Sequence, residues 1–192
     1  MARDRAARPE AKPLRLFAAV EIPEEIRGAL AEAVKPVRER FPKARWVPIQ
    51  NQHVTVKFLG STYPRLVDWV TGSISTVTGH HAPFPTRVEG LGAFPNAHRA
   101  RVLWAGLHDG DGRLERLAAA LDEALAREFA PEKRGFTPHL TVARFNPPVG
   151  LGPLELAFES EPFEIDRIVL FRSHLRRPAP VYEPIGTFPL AP

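Results

Sequence analysis

The pattern His-x-Thr occurs twice in this chain, as His53-Val54-Thr55-Val56 and, 86 positions later (139 − 53), as His139-Leu140-Thr141-Val142. Each copy lies among apolar residues and predicts an extended strand, whose successive side chains point to opposite faces. His53 and Thr55 then share one face and Val54 and Val56 the other; His139 and Thr141 are likewise set apart from Leu140 and Val142. At a rise of ~3.3 Å per residue, each imidazole lies ~6.6 Å along its strand from its hydroxyl. Seven His and nine Thr in 192 residues produce roughly a third of one such match by chance. Two copies in strand contexts are therefore informative. Set side by side, they surround one small anionic group with two imidazoles and two hydroxyls.

The surroundings of the motif repeat as well. Leu14 to Ile22 is an apolar run of strand length. A helix follows over residues 23–40, opened by Pro23 with Glu24 and Glu25 at its positive end. Ile26, Leu30, Ala33 and Val37 mark its buried stripe, and Pro36 kinks or shortens it. The first motif strand, 53–59, comes next and ends at Gly60. The same order recurs as a strand Arg101 to Leu107, a helix over 112–129 and the second motif strand, 139–144. Another helix runs from Leu66 to Val77, and further strands from Phe84 to Leu91, Leu154 to Phe158, Phe163 to Ser173 and Tyr182 to Phe188. Residues 174–180 form a hairpin loop rich in Arg and Pro.

The expected fold is α+β and bilobal. Two pseudo-symmetric lobes, each with a mainly antiparallel sheet and flanking helices, hold the site in the cleft between them. The basic, Pro-containing residues 1–13 read as a flexible tail, and 14–192 as one domain.

Two imidazoles titrating near pH 6.5 can divide the work of acid and base at neutral pH. Thr hydroxyls can donate to the non-bridging oxygens of a phosphate. In-line cleavage of a phosphodiester needs one proton-transfer group on each side of phosphorus, which this arrangement supplies. Cysteine is absent, so disulfides, thiolate metal sites and cysteine nucleophiles are excluded. No carboxylate accompanies either motif, and the spacing is not that of paired metal ligands, so a metal site is not expected. The other histidines, His80, His81, His98, His108 and His174, read as solvated loop residues, with His80-His81 able to bind a stray ion. Phe17, Trp46 and Trp104 read as core, with stacking of one of them on a nucleobase as the alternative.

Two basic residues follow the motifs. Lys57 has the parity of His53 and Thr55, which leaves two readings open, a residue lining the cleft and substrate or an exposed lysine on its rim. Arg144 has the parity of Leu140 and Val142, which would bury it. An unpaired buried Arg is very costly, so the strand ends or bulges there, or the Arg reaches a phosphate. The net charge of +4 and pI near 9.8 favour an acidic partner, with nucleic acid the obvious candidate. There is no apolar run of about 20 residues, and the N-terminal stretch lacks the apolar segment of a signal peptide. A cytoplasmic monomer is expected.

The segments RLFAAVEIP, RWVPIQNQHVTVKFLG, GLGAFPN, RVLWAGL, FTPHLTVARF and YEPIGTFPL together resemble the bacterial and archaeal RNA 2′,3′-cyclic phosphodiesterases. These are also called 2′-5′ RNA ligases, within the two-histidine phosphoesterase superfamily. The resemblance runs from about Leu14 to Leu190. It implies a bilobal α+β fold with an open cleft, and hydrolysis of a terminal 2′,3′-cyclic phosphate to a 2′-phosphate without metal or nucleotide cofactor. On matching positions it implies that His53 is the general acid, His139 the general base, and Thr55, Thr141 and Arg144 the phosphate holders. The partner would be RNA, or a nucleotide, with a 2′,3′-cyclic phosphate end. Val56 and Val142 depart from the family, where Leu is common; both are apolar and face away from the phosphate. Two other readings use the same residues: RNA ligation through a 2′-5′ linkage, and a non-catalytic module that binds RNA ends.

Overall fold

A computed structural model describes residues 11–152 and 157–191. The expected tail falls mostly on residues outside these, as does most of the expected strand Leu154 to Phe158. Ten strands are described: β1 Leu14–Glu21, β2 Arg45–Trp46, β3 His53–Thr62, β4 Phe84–Thr86, β5 Val88–Phe94, β6 Ala100–Leu107, β7 His139–Val149, β8 Phe163–Ile165, β9 Arg167–His174 and β10 Val181–Pro189. The α-helices are α1 Glu24–Ala33, α2 Lys35–Arg40, α3 Val67–Thr78 and α4 Arg113–Leu125. The architecture is α+β, with every described strand pair antiparallel.

The two expected sheets are halves of one. Its order is β10-β9-β1-β3-β7-β6-β5, with β2 also pairing β7. The halves meet where Val54 of β3 pairs with Leu140 of β7, the middle residue of each His-x-Thr. Beyond that point β2 takes over the edge of β7, pairing Arg45 with Arg144 and Trp46 with Ala143. The two motif strands therefore cross at one place and diverge, which opens a wedge between the halves.

Local sequence explains the elements. In β1, Leu16, Ala18 and Val20 enter the main core, while Phe17 and Ala19 enter a small second cluster with Val169 and Phe171. A strand covered on both faces reads as a continuous apolar run rather than an alternating one. In α4, Leu114, Leu117, Ala118, Leu121 and Leu125 are buried at helical spacing. Its first free amides, those of Leu114 and Glu115, donate to the Asp109 carboxylate at 3.0 and 2.9 Å. The chain over 23–40 breaks at Val34, two residues before Pro36, giving α1 and α2.

Buried residues of all four helices pack in one cluster with Val54, Val56, Leu140 and Val142. On the opposite face, which carries His53 and Thr55, no residue of a described α-helix lines the cavity that holds both histidines. His80 and His81 are not idle loop residues: each Nδ1 donates to a carbonyl in the last turn of α3, those of Thr76 and Val77, at 2.7 and 2.8 Å. His174 ends β9 and hydrogen-bonds Glu183 at 2.6 Å. The expected strand Phe163 to Ser173 is interrupted, because β8 leaves the main sheet to pair with β4.

Candidate active site

Antiparallel pairing of Val54 with Leu140, continued by one residue each way, sets His53 opposite Thr141 and Thr55 opposite His139. Cross-strand neighbours share a face, so both imidazoles and both hydroxyls meet on one side of the sheet. They line a single cavity of about 290 Å³.

The two histidines are held alike. His53 Nδ1 donates to the carbonyl of Asn51 at 2.8 Å, and His139 Nδ1 to the carbonyl of Thr137 at 2.7 Å. A carbonyl can only accept, so Nδ1 carries the proton in both rings and Nε2 is the nitrogen left to react. Aromatic neighbours fix the ring planes. The His53 ring stacks on Phe17, with centroids 4.8 Å apart, and meets the edge of Tyr182 at 5.2 Å. His139 is held edge-on by Phe94 at 5.1 Å and Trp104 at 6.1 Å. Trp104 needs a bare backbone beneath it, since a Cβ at Gly92 would come 2.1 Å from Cζ2. Phe17 is core, as expected, and also supports the His53 ring, while half-buried Trp104 supports that of His139. Burial among the rings lowers the His53 pKa to about 4, against the opposing effect of the Asn51 hydrogen bond.

Each motif strand bulges immediately after its Thr. Ala19 of β1 pairs with Thr55 and Ala18 with Lys57, so Val56 is an extra residue. Trp104 of β6 pairs with Thr141 and Leu103 with Ala143, so Val142 is extra. A bulge puts two residues against one and reverses the facing of everything beyond it. Arg144 consequently emerges exposed into the cavity, which removes the burial conflict that strict alternation creates.

The same slip overturns the expectation for Lys57. Its side chain is 1% exposed and lies on the helix side, paired with Asp122 of α4 and donating to the Ala130 carbonyl at 3.0 Å. Asp122 in turn accepts the Glu132 amide at 2.9 Å. The face that Lys57 leaves is taken by Phe58, five residues after His53 just as Arg144 is five after His139. Arg144 was the signal for this: its parity conflict implies a bulge, and the repeat carries that bulge to the first motif.

Sequence reasoning did not assign several residues that line the cavity. Arg15 lines it with its guanidinium 4.7 Å above the Phe58 ring. Arg45 reaches it from β2, beside Arg144. Residues 178–180 form part of the wall and are tied down by the Asn51 amide, which donates to the Pro180 carbonyl at 2.8 Å. Trp46 lines the same wall. Burial raises the Tyr182 pKa, opposed by the nearby Arg144, Arg45 and Arg15. No described carboxylate lines the cavity, and no group of three or more His, Asp or Glu suited to a metal ion exists among the described residues. The donor set is that of an anion site: guanidinium, imidazole and hydroxyl.

The sequence profile of the 2′-5′ RNA ligase superfamily matches residues 21–177. A Thermus thermophilus RNA 2′,3′-cyclic phosphodiesterase is 35% identical over 191 residues, spanning 92% of this chain and 90% of its own. A Geobacillus stearothermophilus protein of the same name is 31% identical over 182 residues; this chain is covered to 91% but spans only 56% of that relative's length. Among solved structures, TT0787 of Thermus thermophilus superposes with a TM-score of 0.77 at 29% identity, covering 92% of this chain and 98% of that one. No helix among the described residues is long and apolar enough to cross a membrane. On the extent of the profile match, the chain belongs to the 2′-5′ RNA ligase superfamily.

Proposed function

We propose that this protein hydrolyses RNA or nucleotide 2′,3′-cyclic phosphate ends to 2′-phosphates by paired histidine acid–base catalysis that needs no metal. The observation that carries the reading is the matched pair of imidazoles, each with Nδ1 held by a carbonyl two residues upstream and Nε2 left free. The relatives' names supply the substrate class.

In the proposed step, His139 Nε2 takes a proton from water as its oxygen attacks phosphorus. The P–O3′ bond breaks, and His53 Nε2–H delivers a proton to O3′. The product carries a 2′-phosphate and a free 3′-hydroxyl, and the two histidines have exchanged protonation states. Thr55, Thr141 and Arg144 donate to the non-bridging oxygens, where charge grows as water adds. His53 must enter this step protonated, although burial favours its neutral form. A phosphate anion beside Nε2 favours imidazolium, so substrate binding brings in the acid's proton. The lining supports metal independence, since no described carboxylate joins the two imidazoles there and both Nδ1 atoms are committed to carbonyls.

The test is turnover of a nucleoside 2′,3′-cyclic phosphate in excess EDTA. Retained activity that disappears in both His53→Ala and His139→Ala supports the reading. Absence of turnover together with tight, salt-sensitive binding of RNA ends would instead support a binding module.

A further inference from the structure

Two recesses meet at Thr55 and His139, and their charges differ. The first is the 290 Å³ cavity, where Arg15, Arg45 and Arg144 stand without a carboxylate. The second, about 650 Å³, shares Thr55, Phe58 and His139 with it and has Phe94, Val102 and Phe136 in its walls. Its charged residues are Glu115, Asp122 and Glu132 against Arg134, and since buried Lys57 already matches Asp122, one carboxylate is left in excess. A polyanion leaving the catalytic pair is drawn along the first and repelled by the second.

The arginine recess holds more positive charge than one phosphate uses. A cyclic phosphodiester bears a single negative charge, which Arg144 and one imidazolium already match in the proposed reaction. Arg45 and Arg144 are directly paired across β2 and β7. Like charges in that position destabilise a sheet, and no described carboxylate is paired with either of them or with Arg15. Arg15 comes from the other half of the sheet. Four residues separate it from Ala19, which is level with Thr55, so it stands ~13 Å along β1 from that hydroxyl and its side chain is steadied over Phe58. Arg15 and Arg45 line the same cavity, one from β1 and the other from β2, so the two approach one region from the two halves of the sheet.

We propose that Arg15 and Arg45 form a second phosphate subsite, which takes the phosphodiester immediately 5′ of the cyclic-phosphate nucleotide. The protein is then built for the 3′ end of an oligonucleotide rather than for a mononucleotide. This rests on the cyclic phosphate occupying the two His–Thr pairs. Phe58 acts in the subsite as the platform that orients Arg15, a role that its exposed position on the sheet otherwise leaves unexplained.

The experiment is calorimetric binding of adenosine 2′-phosphate and of an adenylyl dinucleotide ending in the same 2′-phosphate. It uses the full chain, Arg15→Gln, Arg45→Gln and the double variant. The unmodified protein is expected to bind the dinucleotide at least ~10-fold more tightly, the scale of a charge-assisted contact. In the double variant that preference should shrink to about threefold or less. The dinucleotide's salt slope should fall by ~0.7 for each arginine lost. Equal affinity of the unmodified protein for the two ligands overturns the subsite. So does an equal loss on both ligands in the double variant, which would assign the arginines to the catalytic phosphate. Adenosine 2′-phosphate binding by each variant reports that its site is folded. Because binding is read without turnover, a dinucleotide preference in a protein that proves hydrolytically inert would sustain the subsite while refuting the proposed reaction.

Discussion

Asn51 binds Pro180 through its side-chain amide, which donates to the Pro180 carbonyl at 2.8 Å, while its own backbone carbonyl receives the proton of His53 Nδ1 at 2.8 Å. One residue thus sets the tautomer of an imidazole and secures the wall segment 178–180 over the same cavity. Asn51→Ala keeps the backbone carbonyl and removes only the tether. A neutral hydrogen bond is worth about 1 kcal/mol, so KM should rise roughly fivefold while kcat changes less than ~3-fold. Steady-state kinetics on a cyclic-phosphate dinucleotide checks this. A fall in kcat at constant KM would mean that the segment acts on the chemistry and not on binding.

The two histidines should be separable by leaving group. Each alanine variant is expected to lose ~10²–10⁴-fold on the cyclic phosphate, the usual scale of acid–base catalysis. On bis(4-nitrophenyl) phosphate, whose leaving group departs without protonation, His53→Ala should recover most of its deficit and His139→Ala should not. Recovery by His139→Ala in place of His53→Ala would reverse the acid and base assignments.

The pH behaviour of His53 follows from its burial. An unfolded His titrates at 6.5 and folded His53 at about 4, so below pH 6.5 the unfolded chain takes up a proton that the folded one refuses. Stability should decline as pH falls from 6.5 to about 4, by up to ~3 kcal/mol in all. His53→Phe should remove that part of the acid sensitivity, as read from denaturant midpoints at several pH values. An NMR titration with saturating adenosine 2′-phosphate should move the His53 midpoint upward. An unmoved midpoint would contradict the substrate-loaded acid.

Lys57→Met tests the placement of that lysine. The substitution keeps most of the packing but leaves Asp122, 20% exposed, without its cation. A loss of ~2–3 kcal/mol of stability is expected, below the range for a fully buried pair because water reaches the carboxylate. The kinetic constants of the folded protein should stay within about twofold. A large loss of activity with stability intact would return Lys57 to the cleft.

Much of the site was legible because local rules reach it. Period-two alternation alone puts each His with its Thr, and the recurring strand–helix–strand order says that two such units exist. The break before Pro36 and the burial stripe of α4 are likewise written in neighbouring residues. The converging arginines were not legible. Arg15 and Arg45 precede the first motif by 38 and 8 positions (53 − 15 and 53 − 45); both open segments that carry the family resemblance, but no parity or spacing rule assigns either to the cleft.

What the sequence by itself determined is therefore the chemical inventory and the local geometry: two imidazoles, two hydroxyls and the strands that carry them. Tertiary structure decided which of the alternatives open at Arg144 holds, and that Phe58 and not Lys57 faces the cavity. A bulge is a property of pairing between strands that are distant in sequence, here β1 with β3 and β6 with β7, and one extra residue reverses every side chain beyond it. That reversal sent Lys57 to the core, brought Phe58 and Arg144 into the cleft, and left the single Val54–Leu140 pairing to join two half-sites.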